Sequence, residues 1–367
     1  MLENMLALGR KDGRVLLVDA ATGEEKWAVQ AYTGKYSIPH VAMSPDGRFV
    51  ASVGLDEESW KIWDAASGAV RRVGASHDGN GACICELQKG RRLFQKLCPV
   101  VAHTGDLLAV AFSPCGYTLV TGDENGAVIV WKGDKMEAEN FMQTDSGSEC
   151  LCLSFSADGA RLASGDQDIY LWDATTWLLL LRMHGENLGA VESLHFSPIN
   201  KNLLARTGKN GLTLWDVEKG ESMKRLEGHR FAVFSPDGRT IATFNGWGAR
   251  DVHLVDVETG ALRLRIAGEH LNPQGNSLPS PAWSIDGSKL ATGNRDASCK
   301  VWDSSTGALI RSIRLGKALV SVSWGCDWVR DTQRAMAFAM GHHPRLGAGS
   351  RVLELEVGVV RMILDRV

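Results

Sequence analysis

Histidine, serine or threonine, and aspartate recur together along this chain. That combination is the one a nucleophilic hydrolase uses: the hydroxyl attacks, the imidazole takes its proton, and the carboxylate orients the ring. A second candidate chemistry is metal binding at the adjacent His342 and His343. No Cys or carboxylate follows that pair at ligand spacing, so it reads as a solvated turn and no metal is expected. Cys83/Cys85 and Cys150/Cys152 are C-x-C pairs, which on a strand share one face. A metal would need two further ligands nearby, and the pairs read instead as small buried hydrophobes. The chain contains no G-x-S-x-G elbow, Walker-type loop, H-E-x-x-H or G-x-G-x-x-G. No cofactor is therefore expected.

Bulk properties narrow the field further. The chain has 367 residues, 44% hydrophobic and 23% charged, with a formal net charge of -3 and a pI near 6.4. That composition can build a sizeable core. Its charge gives no general attraction for nucleic acid or an anionic membrane. No stretch reaches the roughly 18 apolar residues of a membrane span, and the opening MLENMLALGRKDGR lacks the apolar run of a signal peptide. Eight cysteines are too sparse for a disulfide scaffold, which points to a reduced, cytoplasmic protein with a nuclear location left open.

The elements that would position any site are visible as a repeat. A turn tetrapeptide recurs as SPDG at 44–47, SPCG at 113–116, SADG at 156–159, SPDG at 235–238 and SIDG at 284–287, with a degenerate SPIN at 197–200. A short apolar strand precedes each, and a second strand such as LVTG, LASG or LATG follows. A third strand then ends in Trp-Asp or a variant, at Asp64, Trp131, Asp173, Asp216, Asp256 and Asp303. A turn such as Ser67-Gly68 or Thr306-Gly307 leads into a fourth. Each unit is a four-stranded antiparallel meander with period-two alternation, reversed where Gly, Pro and Asp occur. One such sheet cannot cover both its faces, so neighbours must stack and close radially.

Spacing agrees: 41 positions separate Trp131 from Trp172, 43 separate Trp172 from Trp215, and 40 separate Trp215 from Val255. The chain resembles the WD40 (Trp-Asp) repeat family along essentially its whole length. The resemblance implies an all-β propeller of four-stranded antiparallel blades in a single domain, 1–367. Inner strands are expected around His40–Met43, 108–112, 151–155, 193–196, 231–234, 281–283 and Leu319–Trp324. The N-terminus enters in mid-repeat, with a second, third and fourth strand but no first. In this family the termini commonly pair, so Leu319–Trp324 is expected to complete that blade and give seven. Segments 335–340, 351–355 and 359–363 also read as strands, which makes 335–367 a set of closing strands and eight blades the alternative. The mid-repeat start also suggests a piece of something longer. Between Trp63 and Trp131 lie 68 positions, and the excess at 77–103 reads as an extra hairpin or a decayed repeat.

The same resemblance changes the meaning of the His, Ser/Thr and Asp sets. It assigns a structural hydrogen-bond network to His270, Thr292, Asp296 and Trp302. His103, Thr121 and Trp131 form an incomplete set, with Asn125 in the aspartate's place, and His229, Thr243 and Asp251 meet Val255 instead of Trp. The inner strands carry His40, His195 and Glu192 as their ionisable groups, among Ala, Val, Leu and Phe. An enzyme is not expected; a hydrolase-like propeller is the rival reading, and a regulatory propeller of a larger protein is a third.

Topology then locates a partner. Turns after first and third strands share one end of the ring and are short. Turns after second strands, and connections between blades, share the other and include the long segments 75–106, 246–251 and 268–280. Long loops on a rigid scaffold are where binding residues concentrate. Trp247, Arg250, Arg295, Arg91 and Arg92 are the interface-type side chains expected there, for a protein or peptide partner within a larger complex. The Trp-Asp-x-Arg signature of one class of ubiquitin-ligase receptor is missing, since Ala66, Thr175, Glu218 and Ser305 occupy its arginine position. A basic stripe for RNA is missing too.

Overall fold

The computed structural model describes residues 4–33, 40–54, 59–75, 83–88, 91–96, 103, 105–133, 137–144, 149–184, 189–245, 251–267, 281–294, 297–316 and 319–324. At 75, 83–88, 91–96, 137 and 319–321 it describes the backbone alone. All of these residues lie in the compact unit Met1–Asp327. The closing strands expected at 335–367, and His342 and His343, fall outside the described residues.

Seven sheets form the ring. Blade 1 takes three strands from the N-terminus, Met5–Arg10, Arg14–Asp19 and Glu25–Gln30, and its inner strand from Leu319–Trp324. Leu6 pairs with Trp324 and Leu8 with Val322, antiparallel. The remaining blades follow in order as 40–75, 107–143, 152–183, 191–226, 229–267 and 282–314. The seven inner strands fall within two residues of their expected places, and the count is seven, not eight. The segment between blades 2 and 3 forms two further strands, Cys83–Gln88 and Arg91–Lys96, which continue the sheet of blade 2 outward to six. Among the described residues no helix is long and apolar enough to cross a membrane.

Period-two alternation becomes packing between blades. In blade 3, Leu119 and Ile129 join Ala51, Val53, Trp60 and Ile62 of blade 2. The alternate residues Val120, Val128 and Val130 face blade 4, meeting Leu162, Tyr170 and Trp172. One buried cluster of this kind fills every junction around the ring, down to Leu6, Leu8 and Leu16 against Ala291, Cys299 and Val301 between blades 1 and 7. Cys150 and Cys299 are fully buried within two of these clusters. Burial pushes the Cys299 thiol up to about 12 and Cys150 higher still, which suits small apolar side chains.

All seven blades carry a register shift between third and outer strand, at the residue before the Trp-Asp tryptophan or its substitute. It occurs at Leu254/Val255 as well as at Val301/Trp302, so the bulge belongs to the repeat and not to the indole. A bulge leaves one outer residue unpaired and twists the edge. In blades 1, 2, 3 and 6 that residue is Lys26, Arg71, Glu139 or Arg263, each in an ion pair. Blades 4, 5 and 7 expose Leu180, Met223 and Ile310 there instead.

Blade 4 departs furthest from a protected edge. Leu178, Leu179 and Leu180 are 67%, 43% and 51% exposed, with no charge until Arg182. Unpaired apolar edges invite strand addition. Leu178→Glu with Leu180→Lys should lower self-association, read by light scattering at high concentration, while leaving the melting curve unchanged.

Candidate interaction face

The two ends of the ring differ in how their polar groups are used. At the short-turn end, the Ser-x-Asp-Gly turns close on themselves. Ser44 Oγ donates to Asp46 Oδ1 at 2.5 Å, Ser156 to Asp158 at 2.7 Å, Ser235 to Asp237 at 2.5 Å and Ser284 to Asp286 at 2.6 Å. Gly238 and Gly287 take φ of 66° and 69°, a left-handed turn position that glycine adopts without penalty. The aspartates ending third strands cap the next turn: Asp173 Oδ1 accepts from Thr176 N at 2.7 Å, and Asp303 Oδ1 from Thr306 N at 2.8 Å. These bonds hold Asp173 below the usual carboxylate range, and those of Asp303, led by the Ser305 hydroxyl, bring it to about 2.

The opposite end bears the long connections. Three expected partner residues, Trp247, Arg250 and Arg295, fall outside the described residues. Arg91 and Arg92 are placed differently from expectation. Ala75 pairs with Cys83, and Gln88 pairs with Arg91. The outer hairpin therefore returns to the short-turn end before Arg91–Lys96 begins, so both arginines belong to that end. The physical reason is that the inserted segment pairs as strands on blade 2 instead of looping over the face.

Among the described residues, the histidine sets give one complete network. His103 Nε2 lies 2.7 Å from Thr121 Oγ1, and its Nδ1 lies 2.9 Å from Asp123 Oδ2. Trp131 Nε1 donates to Thr121 Oγ1 at 2.8 Å. The expectation that Asn125 stands in the aspartate's place is corrected: the carboxylate is Asp123, at the end of the second strand. Its other oxygen accepts from Asn125 N and Ala127 N at 3.0 and 2.8 Å. The partners fit a ring that donates from Nδ1 to Asp123, with Nε2 beside the Thr121 hydroxyl.

This arrangement has the connectivity of a hydrolase triad and none of its access. His103, Thr121 and Asp123 are 4%, 0% and 0% exposed, and the hydroxyl that would attack is occupied by an indole N–H. The network is structural. In blade 7 the described part is the bond from Trp302 Nε1 to Thr292 Oγ1 at 2.9 Å; His270 and Asp296 lie outside the described residues. Asn294 stands where Asp123 does, buried, with its Oδ1 lacking a partner among the described residues. Blade 2 uses Tyr32, whose hydroxyl lies 3.0 Å from Ser52 Oγ, which also accepts from Trp63 Nε1 at 2.9 Å. In blade 6, Thr243 Oγ1 turns to Arg230 O at 2.8 Å, while His229 packs on His253.

The inner strands hold one cation that their sequence reading omitted. Arg230 Nε donates to Glu192 Oε2 at 2.7 Å, bridging blades 5 and 6, so Glu192 is a paired carboxylate and not an isolated acid. Two residues of added strand at His229–Phe234 are what bring Arg230 in. Beside the same end, Asp168 accepts from Arg182 Nε at 2.7 Å and lies 2.5 Å from His184 Nδ1. Among the described residues, no group of three His, Cys, Asp or Glu is arranged to hold a metal.

Two predictions follow from these groups. Asp123→Ala strands the His103 Nδ1–H and two backbone N–H groups in the interior, which should cost about 3 kcal/mol, measured by denaturant unfolding. Desolvation lowers His195 to about 4. The unfolded chain, near 6.5, then takes up protons before the folded one does, so stability falls as pH drops from about 6.5 to 4. His195→Gln should flatten that part of the stability–pH curve.

Comparison with known proteins agrees with this geometry. A family model described as WD domain, G-beta repeat matches residues 94–132, 140–173 and 275–303. Protein hir1 of Schizosaccharomyces pombe is 24% identical over 332 residues, covering 80% of this chain and 34% of that protein. WD repeat-containing protein 1 of Gallus gallus is 21% identical over 242 residues, covering 62% of this chain and 38% of its own length. Cell division cycle 20.1, cofactor of APC complex, of Arabidopsis thaliana is 25% identical over 318 residues, covering 82% and 61%. The chain thus spans little more than a third of the first two relatives.

Proposed function

We propose that this chain, a β-propeller of WD40-type repeats, works as a non-enzymatic scaffold or adaptor that docks a protein or peptide on the long-connection end. The observation that carries this reading is the asymmetry of the ring. The short-turn end largely consumes its own donors and acceptors in caps, while the segments 76–82, 97–106, 246–250 and 268–280 all leave from the other end. A rigid ring with variable connections at one end is a platform whose binding residues can change without disturbing the core. The rival hydrolase reading rests on the His103, Thr121 and Asp123 set, and the burial of that hydroxyl argues against it. The plant relative's name places that protein with an assembly; by extension, this chain acts within a larger complex.

Trp247 and Arg295 are the residues proposed to anchor the partner; Arg250 extends the same surface, since Trp and Arg dominate interface energetics. Trp247→Ala with Arg295→Glu should reduce partner recovery at least tenfold in quantitative affinity purification, with an unchanged melting curve. A control variant at the other end, Lys201→Glu, should retain wild-type recovery. Equal recovery by the double variant and wild type would sink the assignment.

A further inference from the structure

Blades 6 and 7 leave a groove between them at the short-turn end. Its volume is about 380 Å³, within the range of sites that take side chains and small ligands, roughly 300–1,000 Å³. Leu254, Leu264 and Trp283 give it an apolar lining, and Asp237, Asp286 and Ser305 a polar one. Trp283 is fixed by a bond from its Nε1 to Val233 O at 3.2 Å.

Three other junctions are crossed by a side chain of the outer strand. At these three the outer-strand residue just after the unpaired bulge residue reaches the next blade's turn, and the strand registers make Trp27, Lys224, Leu264 and Arg311 equivalent, with Leu181 of blade 4 in the same position. Trp27 covers the junction of blades 1 and 2, donating to Ala65 O at 2.9 Å. Between blades 5 and 6, Lys224 Nζ donates to Glu258 O. Between blades 7 and 1, Arg311 Nη1 donates to Thr22 O at 2.9 Å. The two junctions flanking the groove are therefore each crossed by a basic side chain of the protein itself. At the junction of blades 6 and 7 the equivalent residue is Leu264, which lies beside the Gly307 turn but brings no cation, and Ser305, the counterpart of Glu258, lines the space.

Charge completes the picture. Arg263 also lines the groove, but Asp256 meets its charge through a bond from Arg263 Nε at 2.9 Å. Asp237 and Asp286 remain as carboxylates without an ion pair among the described residues. Arg239 and Arg263 help to lower the Asp237 pKa, and Lys289 that of Asp286, but none forms an ion pair with them among the described residues. The Ser235 hydroxyl chiefly holds Asp237 down; at Asp286 partial burial opposes, and the Ser284 and Ser288 bonds prevail. Both are ionised at neutral pH.

We propose that this groove is a second binding site, which takes the basic side chain of a partner peptide where the protein's own lysine or arginine is missing. The aliphatic stem would lie along Leu264 and Leu254. The cation would sit between Asp237 and Asp286 with the Trp283 ring beside it. This site lies at the short-turn end and stands independently of the partner site proposed above.

The test uses the full chain labelled with 5-fluorotryptophan and followed by fluorine NMR, with Trp283→Phe assigning the resonance. The probe is N-acetyl-arginine methylamide, with the citrulline and lysine counterparts as controls. The Trp283 signal should shift saturably with the arginine and lysine probes, and at least tenfold more weakly with citrulline. Leu264→Arg, which restores the cation found at the flanking junctions, should abolish the response without altering the turns. Asp237→Asn with Asp286→Asn should weaken it at least tenfold, while Trp247→Ala with Arg295→Glu should leave it intact. No shift at millimolar arginine probe, an equal response to citrulline, or persistence in Leu264→Arg would overturn the proposal.

Discussion

Everything in this ring depends on burying both faces of seven thin sheets, and the last of those burials is made by strands from distant parts of the chain. A four-stranded meander has two apolar faces and cannot hide either alone. Stacking hides both for every blade except those at the ends of a linear array, which is why the array must close. Here closure falls on the antiparallel pair of Met5–Arg10 with Leu319–Trp324. That pair seats Val322 in the cluster shared by blades 1 and 7. Without it, Leu6, Leu8 and Leu16 on one side and Ala291 and Val301 on the other would face water. At about 25 cal/mol per Å² of apolar area, a junction of this kind is a large fraction of a domain's net stability.

Closure fixes the inner strands, so the blades differ most at their outer edges. The repeated bulge before the Trp-Asp position unpairs one outer residue per blade. Where it is charged it forms a local ion pair; such exposed pairs contribute little to stability but discourage edge-to-edge pairing. The residue just after the bulge has the complementary task of spanning to the next blade. Trp27, Lys224 and Arg311 do so by different means. Leu264 supplies neither a cation nor an indole there, and it lines the groove between blades 6 and 7.

Tertiary context also decides what polar sets mean. His103, Thr121 and Asp123 have the connectivity of a catalytic triad, yet the indole of Trp131 and the burial of all three make them a strut. A buried network of this kind stabilises only when every member is satisfied. Blade 3 meets that condition, and Asn294 in blade 7 shows an oxygen for which the described residues offer no partner. Glu192 is comparable: alone on an inner strand it reads as a candidate acid, and Arg230 from the next blade converts it into half of a bridge.

The amino-acid sequence alone determined the repeat, the seven inner strands and the short turns, because these depend on local signals: period-two alternation, Ser-x-Asp-Gly reversals and terminal Trp-Asp. The family resemblance that it carries also implied Thr121 with Trp131 and Thr292 with Trp302 as partners, and the strand registers bring each pair together. Asp123 was legible in TGDENG, two positions beyond Thr121 at a strand end, but Asn125 in the following turn matched the repeat pattern and drew the assignment. Other features were settled only when strands from separate blades met. Arg91 and Arg92 moved to the short-turn end because their segment pairs on blade 2, and pairing partners are a long-range property. Arg230 met Glu192 across a junction 38 positions apart in sequence. The groove beside Leu264 is likewise invisible in one dimension, because its lining comes from two neighbouring blades.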